Sequence, residues 1–205
     1  MSAFMKNVWI FLVVLWVGLD AWLARWWFMT RREQRAEVHI LNAARQYAVE
    51  PALVKAVVWR ESRFREDARG TSGELGLMQV GAMAAEEWAQ AEKRNGFLHP
   101  HLLDPQRNTQ AGTWYLGKLL RRYQRTDVPE AFALADYNAG RANVLRWLAG
   151  SGSTNAEAFL AQMDFPTTRD YVRSILRQRD AYRSQGWPRR EADAKGDSAS
   201  RASTQ

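Results

Sequence analysis

Glu61 stands in the run VVWRESRF, Val57 to Phe64, where helical periodicity asks for an apolar side chain. In a helix opened by Pro51, each residue turns by about 100°, so Val54 and Glu61 project about 20° apart and Val57 and Glu61 about 40° apart. The carboxylate then shares the inward face, close to the negative end of the helix macrodipole. Burial and that dipole both raise a carboxyl pKa, and a carboxyl that keeps its proton near neutrality is what general acid catalysis requires. The competing reading is a surface Glu61 paired with Arg65 one turn on, a contact worth about 0.3 kcal/mol. Helix geometry alone leaves both open.

Other chemistries find less support. The chain has no cysteine, which removes disulfides, thiolate metal sites and a cysteine nucleophile. His99 and His101 in HPH lack a third ligand at metal-binding spacing, so no metal site is expected, and no motif calls for a cofactor. No glycine-rich phosphate loop or serine nucleophile elbow occurs. The net charge of +7 and pI near 10 suit anionic partners. Arg121, Arg122 and Arg125 come without a nucleic-acid reader motif, so they read as a solvated face or a contact with anionic polymers, not a nucleic-acid site.

The elements that position Glu61 read as helices. AEVHILNAARQYAV carries apolar residues at helical spacing, and Pro51 suits the first turn of the next helix. Further helices are expected at Asn108 to Tyr123, Pro129 to Ala139, Ala142 to Leu148, Thr154 to Gln162 and Thr168 to Ser184. RGTSGELG and NGFLHPHLLDP are glycine- and proline-punctuated connections, and no segment alternates with period two. The fold class is mainly α. The tail from Pro188 to Gln205 has no apolar periodicity and is expected to be disordered.

Val8 to Phe28 is an apolar stretch interrupted by Asp20 and Arg25, and as a helix it is about 31 Å long, enough to cross a bilayer. A cleavable signal peptide and a buried soluble helix compete with an uncleaved anchor. The signal peptide is disfavoured by Leu19 at the small-residue position, and the buried helix by apolar character on every side. The anchor accommodates Trp22, Trp26 and Trp27 at the interface. The expected division is an anchor over 1–28, a linker over 29–36, a domain over 37–187 and a tail over 188–205.

Downstream of ESRF come GELGLMQV, Gly73 to Val80, and ALADYNAG, Ala133 to Gly140, supported by LLDPQRNTQAGTWYLGKLLRRY and PTTRDYVRSIL. This ordered set, over Glu37 to Trp187, resembles the catalytic domain of soluble-type lytic transglycosylases, relatives of goose-type lysozyme. The resemblance implies a lysozyme-like helical domain that cleaves the MurNAc-GlcNAc bond of peptidoglycan with formation of 1,6-anhydromuramic acid. It implies Glu61 as catalytic acid and base, Met78, Gln79, Tyr137 and Asn138 as substrate-binding, and Ser62 and Tyr171 as support. The bland alternatives are a core Met78, a Gln79 satisfying buried backbone, a core Tyr137 and a turn-forming Asn138. Three departures stand out: Thr167 replaces the usual glutamate before TR, Asp136 the usual alanine before YNAG, and no proline follows Val80.

A single catalytic glutamate needs a second group, and the sugar's own 2-acetamido supplies it in the substrate-assisted exceptions to two-carboxylate hydrolysis. Glu66, Asp67, Glu74 and Asp136 are read as solvent-facing or structural; Glu74 or Asp136 at the cleft would favour hydrolysis instead. The alternatives to a transglycosylase are therefore a muramidase on the same scaffold and a non-catalytic peptidoglycan-binding or assembly partner. Peptidoglycan lies outside the cytoplasmic membrane, so the expected location is the bacterial inner membrane with the domain facing the periplasm or wall. Arg25, Arg31, Arg32 and Arg35 follow the span and argue for the opposite orientation.

Overall fold

A computed structural model describes residues 3–149 and 154–188. The disordered tail expected from Pro188 onward falls, apart from Pro188 itself, outside the described residues. The first helix, α1, runs without a break from Ala3 to Tyr47. It contains no proline and a single glycine, Gly18, so nothing in its sequence ends it earlier. Its two halves differ in what they meet. Trp9, Phe11, Trp16, Trp22 and Trp26 are all exposed, whereas Ala36, Ile40, Ala43 and Ala44 form one buried stripe. The segment 29–36, expected as a linker, continues the helix and packs: Met29 lies against the core, Ala36 is buried, and Glu33 bonds the Lys55 ammonium at 2.7 Å. The segment from Phe11 onward is long and apolar enough to cross a membrane.

Ala48 turns left-handed at φ 52° and Val49 N–H bonds the Ala44 carbonyl, closing α1 before Pro51 opens α2, Pro51–Ser62. The short turn makes α1 and α2 an antiparallel pair. Lys55 ties it further: Glu33 and Glu37 approach its ammonium, Tyr182 and Trp187 place their rings 4.7 and 4.2 Å from it, and Trp187 Nε1 donates to Glu37.

The remaining helices are α3 (Ala82–Ala91), α4 (Pro105–Arg122), α5 (Pro129–Ala139), α6 (Arg141–Leu148), α7 (Ala156–Gln162) and α8 (Pro166–Ser184), with a 3-10 turn at His99–Leu103. Ala52 to Val58 and Ala131 to Asp136 are buried on all sides, so α2 and α5 are the central helices, covered by α1, α4 and α8. No strand occurs among the described residues; two isolated bridges, Arg69 with Leu75 and Leu75 with Val80, close one loop. α5 has the expected bounds. α4 and α8 start earlier than expected because prolines serve as their first-turn residues, with the Asp104 carboxylate accepting from Arg107 N–H at 2.8 Å in the case of α4. α3 and the 3-10 turn were not expected; AMAAEEWAQA buries only Ala85, Trp88 and Ala89, a stripe too sparse to stand out.

Asp136 is a structural carboxylate. Its Oδ2 accepts from Arg122 Nη1 and from the Tyr123 hydroxyl, both at 2.7 Å, and the residue is buried. Asp136→Ala leaves both donors unpaired and is expected to destabilise the domain by about 3 kcal/mol, read by chemical denaturation; a change within about 0.5 kcal/mol would show the pair to be dispensable.

Candidate active site

Glu61 is the penultimate residue of α2. The helix stops there because Phe64 must enter the core: Arg63 and Phe64 are both left-handed, at φ 53° and 60°, and Phe64 is fully buried. That turn leaves the Glu61 carboxyl at the mouth of the domain, partly covered. The Tyr171 hydroxyl, from a buried position near the start of α8, donates to Glu61 Oε1 at 2.5 Å. Burial raises the Glu61 pKa from 4.5 to about 7, against the opposing Tyr171 hydrogen bond and Arg60 charge, with the Glu74 charge adding to the rise. Tyr137 and Tyr171 are both pushed well above the ordinary tyrosine value, first by burial and then by the Glu61 charge, so both remain neutral donors.

The loop GLMQ is built by backbone geometry. Gly76 has φ +71° and leaves no room for a Cβ against the Asn108 amide and the Leu102 carbonyl. Gln79 is left-handed at φ 46°, and its amide donates to Gly76 O at 2.8 Å and Ala68 O at 3.2 Å. Asn108, fully buried on α4, clamps the loop: its amide donates to Leu75 O and Leu102 O at 2.7 and 2.9 Å, and its Oδ1 accepts from Met78 N–H at 2.7 Å. Tyr137, near the end of α5, donates to the Met78 carbonyl at 2.8 Å. Tyr171 thus joins α8 to the end of α2, and Tyr137 joins α5 to the loop.

The expected residues sort as follows. Glu61 and Tyr171 are hydrogen-bonded, Tyr137 is near enough to feel the Glu61 charge, and Gln79 lines a cavity with Tyr137. Met78 needs correction as a side-chain ligand contact: its side chain is fully buried against Gly112 and Thr113, and only its backbone reaches the site. Gly112 permits this, since a Cβ there would lie 2.6 Å from the Met78 sulfur. Ser62 is also structural; its hydroxyl bonds back to Val58 O at 3.2 Å rather than to Glu61. Asn138 is exposed and accepts from Thr168 Oγ1 at 2.9 Å, joining α5 to α8 beside the exposed Thr167. Asn108 was missed. His99 and His101 both serve the chain itself, His99 Nε2 meeting Val80 O and His101 Nδ1 accepting from Leu98 N–H.

Two cavities of about 440 Å³ each flank the site. One is lined by Glu74, Gln79, Met83, Tyr115 and Tyr137. The other holds Glu61 together with residues of α1. A larger one of about 680 Å³, between α3 and Phe97 to His99, contains none of these residues. Polar side chains, tyrosine faces and an open groove suit a sugar polymer, and a shielded protonated carboxyl suits breaking a glycosidic bond in it. Tyr171→Phe removes the donor that lowers the Glu61 pKa, so the Glu61 titration should move upward; an unmoved midpoint would contradict the contact.

A helical domain with one covered glutamate beside a groove has known counterparts. The model of the transglycosylase SLT domain matches residues 39–160, and the chain belongs to that family. The soluble lytic murein transglycosylase of Escherichia coli K12 is 35% identical over 129 residues, 62% of this chain and 19% of the relative. Membrane-bound lytic murein transglycosylase F of Desulfosudis oleivorans is 32% identical over 108 residues, 51% of this chain and 22% of the relative. The chain thus spans about a fifth of the length of these relatives. Among solved structures, the 70 kDa soluble lytic transglycosylase of Escherichia coli shares the fold, with a TM-score of 0.63 and 28% identity over 71% of this chain and 24% of that one.

Proposed function

We propose that the chain is a membrane-anchored peptidoglycan lytic transglycosylase with Glu61 as its catalytic acid and base. The observation that carries this is the Glu61 carboxyl, bonded by Tyr171, lining a cavity beside α1 and pushed by burial to a pKa of about 7. The family membership and the lytic transglycosylases among its relatives support the substrate class.

In the reaction so inferred, Glu61 gives its proton to the glycosidic oxygen as the C1–O bond breaks. The oxygen of the 2-acetamido group bonds to C1 from the other face, giving an oxazolinium-like species. The ionised Glu61 then takes the proton of the same sugar's 6-hydroxyl, whose oxygen attacks C1 as the acetamido bond breaks. A 1,6-anhydro ring closes and no water is consumed. Tethered attack raises effective concentration, and Tyr137, Gln79 and the covering of Glu61 hold the ring in place and keep water away.

Glu74 favours a second reading. It lines the groove with Gln79 and Tyr137 and acts electrostatically on Glu61, so a hydrolase using Glu74 to guide water is the competing chemistry. Mass analysis of sugars released from purified sacculi separates the two by one water: anhydro products support the transglycosylase, and hydrated products alone overturn it.

The division we favour is an anchor ending near Phe28 and a domain that begins while α1 continues, with the domain outside the cytoplasmic membrane. A reporter active only outside the cytoplasm, fused after Gln34, should be active; an inactive fusion contradicts this orientation.

A further inference from the structure

The cavity that holds Glu61 is lined on its other sides by Arg25, Phe28 and Arg32 from α1 and by Arg63 and Arg65 beyond α2. None of these four arginines forms an ion pair with a carboxylate among the described residues. Arg63 stacks over the Trp59 ring at 3.7 Å, and Arg65 Nε donates to Ser62 O at 3.3 Å. Arg63 is itself pushed below the ordinary arginine value, by burial first and then by the charges of Arg60 and Arg25. Glu61 is the only acid in the lining, and it keeps its proton to about pH 7. Positive charge is therefore gathered here without an ion-pair partner among the described residues, and guanidinium groups so gathered match phosphate.

The position along α1 narrows the ligand. Phe28 ends the apolar stretch and lines this cavity, and α1 has no proline or hinge between the two halves. With the upper half fixed to the domain through Lys55, a membrane-crossing α1 holds the Glu61 cavity at the bilayer surface. A phospholipid headgroup supplies phosphate there. A glycan strand still joined to its carrier lipid supplies more: a diphosphate at the surface, with the sugar chain leading away from it past Glu61.

Resting on the transglycosylase reading, we propose that this cavity binds the diphosphate of a lipid-linked glycan, so that Glu61 cuts strands while they are attached to the membrane. The strand then runs from the arginines, across Glu61, into the groove of Tyr137, Tyr115 and Gln79. The guanidinium groups neutralise the diphosphate and fix the register of the sugars, and the apolar Phe28 faces the lipid.

The test uses the full chain in nanodiscs of zwitterionic lipid with two substrates: a short glycan carrying polyprenyl diphosphate, and the same glycan after the lipid diphosphate is removed by mild acid. The wild type should cleave the lipid-linked glycan with kcat/KM at least tenfold higher. Because partition into the disc alone favours that substrate, the deciding arm is R25Q/R32Q, two exposed positions on α1. This variant should bring the ratio within about twofold of unity, while R25K/R32K keeps most of it. Equal turnover by the wild type, or a preference that survives in R25Q/R32Q, overturns the inference. If anionic phosphatidylglycerol in the disc replaces the diphosphate in raising cleavage of the detached glycan, the ligand is a headgroup and the assignment fails. Binding of both glycans to Glu61→Gln protein separates this site from the chemistry. A tenfold affinity difference abolished by R25Q/R32Q supports the site even where neither glycan is cut, an outcome that would defeat the transglycosylase reading alone.

Discussion

Glu61→Gln should lower glycan cleavage at least a thousandfold, roughly the scale at which a positioned acid contributes when it also returns as the base. The amide keeps the shape of the carboxyl and still accepts from the Tyr171 hydroxyl, so folding and wall binding should survive. Stability gives an independent signature. The folded carboxyl holds its proton to about pH 7, whereas the ordinary value is 4.5, so the wild type loses stability as pH rises through that window. Glutamine carries no such cost. The variant should match the wild type at pH 4 and exceed it at pH 8 by about 1 to 3 kcal/mol, the size of a shift of this order. Turnover intact in the variant, or a stability difference independent of pH, would contradict the role given to Glu61. In the wild type, kcat/KM should fall above pH 7 as the acid is lost.

Asn108→Ala is the second large effect, and it touches no reacting atom. The substitution strips the Asn108 partner from the Leu102 carbonyl and from the Met78 N–H, and takes one of two donors from the Leu75 carbonyl, which keeps Val80 N–H at 3.0 Å. Leaving such groups unsatisfied costs about 1 to 3 kcal/mol each, so a loss of about 4 kcal/mol is expected once relaxation and water entry offset part of it. The loop carries the carbonyl that Tyr137 uses and the left-handed Gln79, so activity should drop along with thermal stability. Asn108→Asp keeps Oδ1 for Met78 N–H but turns a buried acceptor toward the Leu75 and Leu102 carbonyls, so it should be at least as damaging as Asn108→Ala near neutral pH. A folded Asn108→Ala protein with wild-type denaturation would show that the loop is held by something else.

The same periodicity argument that singled out Glu61 reaches Asn108 as well. Asn108, Ala111, Gly112, Leu116 and Leu119 lie on one buried stripe of α4, and a polar amide on such a stripe demands partners. The reading of Glu61 was legible because a charge on an apolar face is conspicuous; an asparagine is less so. The Tyr171 contact joins residues 110 apart in the chain, and no spacing rule reaches that far. The continuity of α1 was hidden by the change of environment at Phe28, which looks like a boundary although helix propensity runs through it. Met78 failed as a ligand contact because Gly112, on another helix, opens the space that takes its side chain.

Direct titration of the Glu61 side chain is the sharpest measurement, by carbon NMR of selectively labelled glutamate in the full chain, with Glu61→Gln assigning the signal. A midpoint near pH 7 is predicted, rising further in Tyr171→Phe. A midpoint near 4.5, unchanged by removal of the tyrosine hydroxyl, would mean an ordinary surface acid and no catalytic proton to give.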